Sequence, residues 1–286
     1  MRQYAIITLL FLSIVLGLSI TQPAKAATQS LGGTWSVKAG MPTPREGLGA
    51  GTAGSKLYAI KGYNFGDTSI NQAYDPATNT WTTLANSPTP ESEFGATALG
   101  TRVYAIGGRT NGGTTVSIYD TSSNTWAFGA PMPTARRGAA VVAVGTTIYA
   151  IGGSACCEPG ISPQYAANEA YDTASNTWRI LAPLPSPRSD AYAVEVSGKI
   201  YVIGGFSSTF SNSTSSFLST IQAYDIISNT WSTLAPMPTP RDHVVAGVCG
   251  NDIFVIGGAT NPFFSADRQR RISRRERDAN SLSTSP

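Results

Sequence analysis

The sequence predicts an all-β fold of repeated four-stranded sheets, and three observations carry that prediction. Only 13% of the 286 residues are charged, whereas Gly (29) and Pro (18) are abundant, a balance that favours short strands and tight turns over helices. Five tryptophans, Trp35, Trp81, Trp126, Trp178 and Trp231, follow one another at 46, 45, 52 and 53 residues, a spacing typical of repeat architectures. Each Trp heads the same spacing: ten residues on stands Arg45, Glu91, Arg136, Arg188 or Arg241, and seventeen further on stands Gly62, Gly108, Gly153, Gly205 or Gly258.

Each repeat divides into four strands, a to d. Gly138 to Val144, a Gly145-Thr146 turn and Thr147 to Ile151 read as a tight hairpin of small and β-branched residues, strands a and b. A Tyr-Asp pair begins seven residues before each later Trp, at Tyr74, Tyr119, Tyr171 and Tyr224, and marks strand c. The Asp-to-Asn segment after it is a turn, because these side chains tolerate turn conformations. Strand d starts at Trp and ends in a Pro-rich stretch such as Met41 to Arg45, where prolines withhold ladder donors and keep the chain extended. All the length variation lies between the Gly and the Tyr, in steps of 12, 11, 18 and 19 residues, so the b-to-c connection is the free one.

Val103 to Ile106, Ile148 to Ile151 and Ile200 to Ile203 are nearly continuous apolar runs, as expected of strands covered on both faces. Radial stacking of sheets provides that cover. The pairs Gly107-Gly108, Gly152-Gly153, Gly204-Gly205 and Gly257-Gly258 end these runs, where the chain leaves the sheet and backbones approach closely.

Ile-Tyr-Ala-Ile-Gly-Gly (148 to 153), Ile-Tyr-Val-Ile-Gly-Gly (200 to 205), the Tyr-Asp pairs and the spaced Trp resemble the Kelch repeat over about residues 33 to 260. The resemblance implies a Kelch-type β-propeller, here with about five blades. Lys61 stands for the first Gly of a pair, Glu91 for Arg, Ala135 for Pro and Phe254 for Tyr, departures expected to weaken individual blades without changing the assignment. The Trp-Asp ending of WD40 repeats is absent. After Gly258 no Tyr-Asp pair or Trp follows, so the last blade is incomplete, and the strand bearing Trp35 is expected to close it and give a monomeric ring.

Residues 1–26 read as a signal peptide: Arg2, an apolar run from Ala5 to Ile20, and Ala24-Lys25-Ala26 as the cleavage signature. The run is shorter than the roughly 18 to 20 residues that span a bilayer, so the expected product is secreted, periplasmic or at the cell surface, with no membrane span in the mature chain. The domain expected at 27–265 is the propeller, followed by a polar, Arg-rich, disordered tail at 266–286 of frameshift type. Of the net charge of +3, the leader supplies +2 and residues 267 to 278 supply +3, leaving −2 on 27 to 266. The repeats thus carry no basic stripe for nucleic acid. Cys156, Cys157 and Cys249 make no disulfide framework.

The d-to-a and b-to-c connections of a propeller open on one face, and Arg45, Arg136, Arg188 and Arg241 recur there. They are candidates either to bind an acidic ligand or to tie their own turns to neighbouring carbonyls and acids. The single His243 excludes the two-histidine copper site of the Kelch-like galactose oxidase, and no metal, cofactor or catalytic residue is expected. The function expected is an interaction scaffold for a protein or carbohydrate. Because sialic acid mutarotases are exported bacterial Kelch propellers, a carbohydrate isomerase is the alternative, on fold analogy alone.

Overall fold

The computed structural model describes residues 36–156, 163–209 and 214–260. The leader, Trp35, Cys157 and the tail at 266–286 lie outside them, and so does the expected closure by the Trp35 strand. The chain divides into two compact units, Met1–Lys38 and Ala39–Pro286; everything below concerns the second.

Four antiparallel sheets have their strands in chain order. Blade 1 contains β1 (Gly49–Ala53), β2 (Lys56–Ile60), β3 (Asn71–Asp75) and β4 (Thr80–Thr83). Blade 2 contains β5 (Gly95–Leu99), β6 (Arg102–Ile106), β7 (Val116–Asp120) and β8 (Thr125–Phe128). Blade 3 contains β9 (Ala140–Val144), β10 (Thr147–Ile151), β11 (Asn168–Asp172) and β12 (Thr177–Ile180). In blade 4, β13 (Tyr192–Val196) and β14 (Lys199–Ile203) are separated from β17 (Ile221–Asp225) and β18 (Thr230–Leu234) by a small hairpin, β15 (Phe206–Thr209) with β16 (Thr214–Phe217). The fifth sheet is the pair β19 (Asp242–Cys249) and β20 (Asp252–Ala259).

The a strands β1, β5, β9, β13 and β19 contact one another in succession, which makes them the inner strands of the propeller. Each interface between blades is its own apolar core. Tyr58 and Ile60 meet Phe94, Val103 and Tyr119; Tyr104 and Ile106 meet Ile148 and Tyr171; Tyr149 and Ile151 meet Ile200, Val202 and Tyr224; Val194 and Ile203 meet Val244 and Ala246. The b-strand Tyr of one blade faces the c-strand Tyr of the next at 5.9 Å (Tyr58, Tyr119), 6.4 Å (Tyr104, Tyr171) and 6.3 Å (Tyr149, Tyr224) between ring centroids.

A second contact latches the outer strands. The indole N–H groups of Trp81, Trp126, Trp178 and Trp231 donate to the carbonyls of Ala39, Ala85, Ala130 and Ala182, all at 2.8–2.9 Å. The N–H of each of those alanines donates in turn to Asn79, Asn124, Asn176 or Asn229 of the same neighbouring blade. One alanine ahead of each of these blades is therefore held through both its N–H and its carbonyl. The Asn residues adopt φ between 55 and 57°, a left-handed conformation that Asn accepts more readily than most residues.

Candidate functional site

The b-to-c loops fold onto the d-to-a turns at one face of the propeller. The residue after each repeat Arg pairs through its backbone with the residue after the Gly pair: Glu46 with Tyr63, Arg137 with Ser154, and Ser189 with Phe206. In blade 2 the N–H of Arg109 donates to Ser92 at 3.0 Å. The second residue after each Arg position has positive φ: Gly47 (56°), Glu93 (56°), Gly138 (60°), Asp190 (56°) and His243 (49°). These residues form a backbone chain from blade to blade. Glu93 donates to Gly47 at 3.0 Å, Gly138 to Glu93 at 2.8 Å, Asp190 to Gly138 at 2.9 Å and His243 to Asp190 at 3.0 Å. The face is consequently a stiff frame carrying loops of unequal length.

Of the four repeat arginines, two are sealed inside that frame. Arg136 is 0% exposed and donates to Glu169 at 2.6 Å, to the Thr134 carbonyl at 2.9 Å and to the Ala150 carbonyl at 2.9 Å. Arg188 is 1% exposed and donates to the carbonyls of Ser186, Gly204 and Thr220 and to Gln222. Burial lowers both pKa values, against the opposing pull of Glu169 at Arg136; Arg188, at about 10, remains cationic at neutral pH. Arg45, half-buried, spans the same two strands, donating to the Ala59 carbonyl at 2.8 Å and to Gln72 at 2.6 Å. In these three blades the fork joins strand b to a Gln or Glu of strand c. In the fifth sheet Arg241 reaches only strand b, donating to the Gly257 carbonyl at 2.7 Å.

Blade 2 has Glu91 in place of the Arg and Ser117 in place of the Gln or Glu. The cation comes instead from blade 1. Lys61, 1% exposed with φ 53°, sends its ammonium to Ser117 Oγ at 2.9 Å and Thr89 Oγ1 at 3.3 Å. The same nitrogen lies 5.7 Å from the ring centroids of both Phe94 and Trp126, within cation–π range. Glu91, 1% exposed, accepts from the Thr110 N–H and hydroxyl, each at 2.6 Å, and from Asn111 Nδ2 at 3.0 Å. Burial pushes the Lys61 pKa down to about 8 against the opposing pull of Glu91. Burial likewise raises Glu91, while bonds from Thr110 and Asn111 and the Lys61 charge work to lower it. Of the departures read from the sequence, Lys61 thus makes with Ser117 a tie in blade 2 where the repeat Arg is missing.

Further charged contacts lie beside these ties, His243 having been read in the sequence only as the lone histidine and Arg137, Glu93, Arg109 and Asp67 not singled out there. Arg137 pairs with Glu93 of the preceding blade at 2.8 Å, and His243 lies 3.7 Å from Asp190 and 3.0 Å from Asp242. Arg109 stacks over Tyr63 at 5.3 Å and approaches Asp67 at 4.0 Å. Beside them Phe65 is 89% exposed with φ 56°. Among the described residues no group of three His, Cys, Asp or Glu could hold a metal ion, and no helix is long and apolar enough to cross a membrane.

A family model described as the KLHDC2/KLHL20/DRC7 Kelch-repeats domain matches residues 33–205, and the Kelch motif matches 187–238. Kelch-like ECH-associated protein 1A of Danio rerio is 35% identical over 91 residues, 32% of this chain and 15% of that protein. Kelch-like protein 25 of Xenopus tropicalis is 36% identical over 92 residues, again 32% and 15%. The match thus spans about a sixth of the length of these curated relatives. The solved structure titled "Structure of YjhT" shares the fold at a TM-score of 0.70 and 20% identity, over 80% of this chain and 82% of that one. Kelch-repeat propellers generally mediate protein interactions. The chain belongs to the Kelch-repeat family and folds as a Kelch-type β-propeller.

Proposed function

We propose that this protein is an exported Kelch-propeller scaffold that captures a protein partner on its loop-bearing face. The observation that carries the reading is Phe65, a large apolar side chain held in water on left-handed backbone. Strain of that kind persists where the surrounding structure imposes it, and it concentrates at recognition sites. In the loop of Phe65 stand Tyr63, stacked with Arg109, and Asp67, and Arg137 pairs with Glu93 elsewhere on the loop-bearing face, aromatic and Arg side chains of the type that dominate binding energy at protein interfaces. Arg136 and Arg188 have no outward surface to offer an acidic ligand, so the recognition chemistry is assigned to the residues beside them.

Immobilised mature chain and a Phe65→Ala/Arg137→Glu variant test this in parallel against extracellular proteins of the source cell. The scaffold reading expects a partner retained by the former and lost by the latter at unchanged melting temperature. Proton-exchange NMR on free sugars probes the isomerase alternative: catalysed exchange between anomers contradicts the scaffold reading. N-terminal sequencing of exported protein, expected to begin at Ala27, tests export.

A further inference from the structure

The b-to-c loop of blade 2 carries the one Asn-Gly step in the chain, Asn111-Gly112, at a point where a chemical change in the asparagine alters the loop-bearing face. The two residues open the short turn Asn111–Gly113, both of them exposed, while Gly113 is buried. Asn111 has φ 52° and Gly112 φ 74°, left-handed conformations that Asn and Gly tolerate better than other residues. A Cβ built on Gly112 would meet no atom within 4 Å, so neither a side chain nor a neighbouring group hinders that flank of the Gly112 nitrogen. The Asn111 side-chain nitrogen stands among three oxygens: Nδ2 donates to the Pro90 carbonyl at 2.9 Å, to Glu91 Oε2 at 3.0 Å and to Thr110 Oγ1 at 3.4 Å. The buried Glu91 takes its side-chain bonds from Thr110 and Asn111. On its other side the turn meets the start of blade 3, where the Arg136 N–H donates to the Gly113 carbonyl at 2.9 Å.

We propose that Asn111 is a site of spontaneous deamidation whose product releases the turn from Glu91. The Gly112 backbone nitrogen attacks Asn111 Cγ, and the new C–N bond closes a cyclic imide. The Gly112 N–H proton is given up, and Nδ2 leaves with a proton as ammonia. Water then opens the ring at either carbonyl, leaving aspartate or isoaspartate. One water is consumed and one ammonia released, so the step needs neither oxidant nor reductant. Glycine after the asparagine is what permits it, since a side chain there would obstruct the closing ring and narrow the backbone freedom that closure requires. The product presents a carboxylate, which only accepts hydrogen bonds, where the amide donated them. It faces the Pro90 carbonyl and the Glu91 carboxylate, which lose their donor, and the two like charges disfavour each other. The turn thereby lets go of the d-to-a connection at Pro90 and Glu91 while it stays bonded to Arg136. This modification does not depend on the partner proposed for the loop-bearing face.

The test keeps the full chain for weeks in mildly alkaline buffer, digests samples in acid with pepsin and maps them by mass spectrometry. Replacement of the Asn111 amide by a carboxyl is expected in a growing fraction of the chains, ahead of every other asparagine and as a mixture of aspartate and isoaspartate. Gly112→Ala is expected to slow it at least about tenfold, and Asn111→Gln, whose longer side chain closes a ring poorly, to abolish it. Hydrogen exchange of the aged wild type and of fresh Asn111→Asp then reads the consequence. Faster exchange is expected at the Thr110 and Gly113 amides, which bond to Glu91 and to Thr110, with the strands of blades 3 and 4 unchanged. An Asn111 amide that survives the incubation, or that outlasts other asparagines, overturns the site. Conversion with unchanged exchange at Thr110 and Gly113 overturns the release from Glu91.

Discussion

The ammonium of Lys61 in blade 1 lies 2.9 Å from Ser117 Oγ in blade 2, within the part of that blade where its neighbours use an arginine of their own. Two residues that are irregular in their own repeats thus form a regular contact between repeats. Its energetics follow from burial, since a lysine taken out of water gives up its proton more easily.

Lys61 titrates at about 8 in the folded protein and ordinarily at 10.5. Between these values the unfolded chain binds the extra proton, so stability rises with pH across that window. The hydroxyls of Tyr119, Tyr171 and Tyr224, raised by burial, oppose the rise above about pH 10. The melting temperature of the wild type should therefore climb from pH 7.5 to 9.5, and that of Lys61→Met should stay flat; parallel curves would contradict the assignment.

Glu91→Arg alone adds a cation beside Lys61 and strips the Thr110–Asn111 turn of its acceptor. An uncompensated buried charge costs about 3–5 kcal/mol. The combination Lys61→Gly, Glu91→Arg and Ser117→Glu rebuilds the tie of blade 3 and should recover most of the loss. Urea unfolding of the single and triple variants gives the coupling, and a triple variant no better than the sum of its parts would show the sites to be independent.

Removal of the Arg136 guanidinium leaves Glu169 buried, with the Thr134 hydroxyl as its remaining side-chain donor. Arg136→Met should lose about 3–5 kcal/mol. Arg136→Met/Glu169→Leu should regain most of the stability. Urea unfolding of the two variants distinguishes an uncompensated buried charge from a simple packing defect, in which the second change would add to the loss.

Asn176 accepts from Tyr171 Oη at 2.6 Å and from the Ala130 N–H at 2.7 Å. Asn176→Ala loses both bonds and forces an alanine to φ 57°, whereas Asn176→Gly loses the bonds without the strain. The Ala variant should be less stable than the Gly variant by about 1–2 kcal/mol, measured by urea unfolding; the reverse order would remove the left-handed turn from the account.

The repeat made most of this fold legible. Thr147 to Ile151 is strand β10 as read from sequence, but strand a of that blade starts at Ala140 and not at Gly138, because Gly138 at φ 60° bonds to Glu93 of the neighbouring blade instead of the ladder. The β15–β16 hairpin went unforeseen, since Phe206-Ser-Ser-Thr and Thr214-Ser-Ser-Phe carry the polar composition of a loop. Lys61 and Glu91 were readable as departures; the contact of Lys61 with Ser117 was not, because one residue reaches across a blade boundary that spacing within a repeat does not express. Phe65 offered no pattern at all, as its exposure arises from the fold of one short turn.

The most direct test compares the melting of Arg188→Gln and Arg241→Gln. Arg188 joins strands b and c through Gly204, Thr220 and Gln222, whereas Arg241 bonds strand b alone. Loss of those buried, charge-assisted bonds should cost about 2–3 kcal/mol and lower the melting temperature of Arg188→Gln by about 5–10 °C. Arg241→Gln should melt like the wild type. Equal shifts in the two variants, or no shift in Arg188→Gln, would contradict the claim that each repeat arginine is an internal tie completed by strand c.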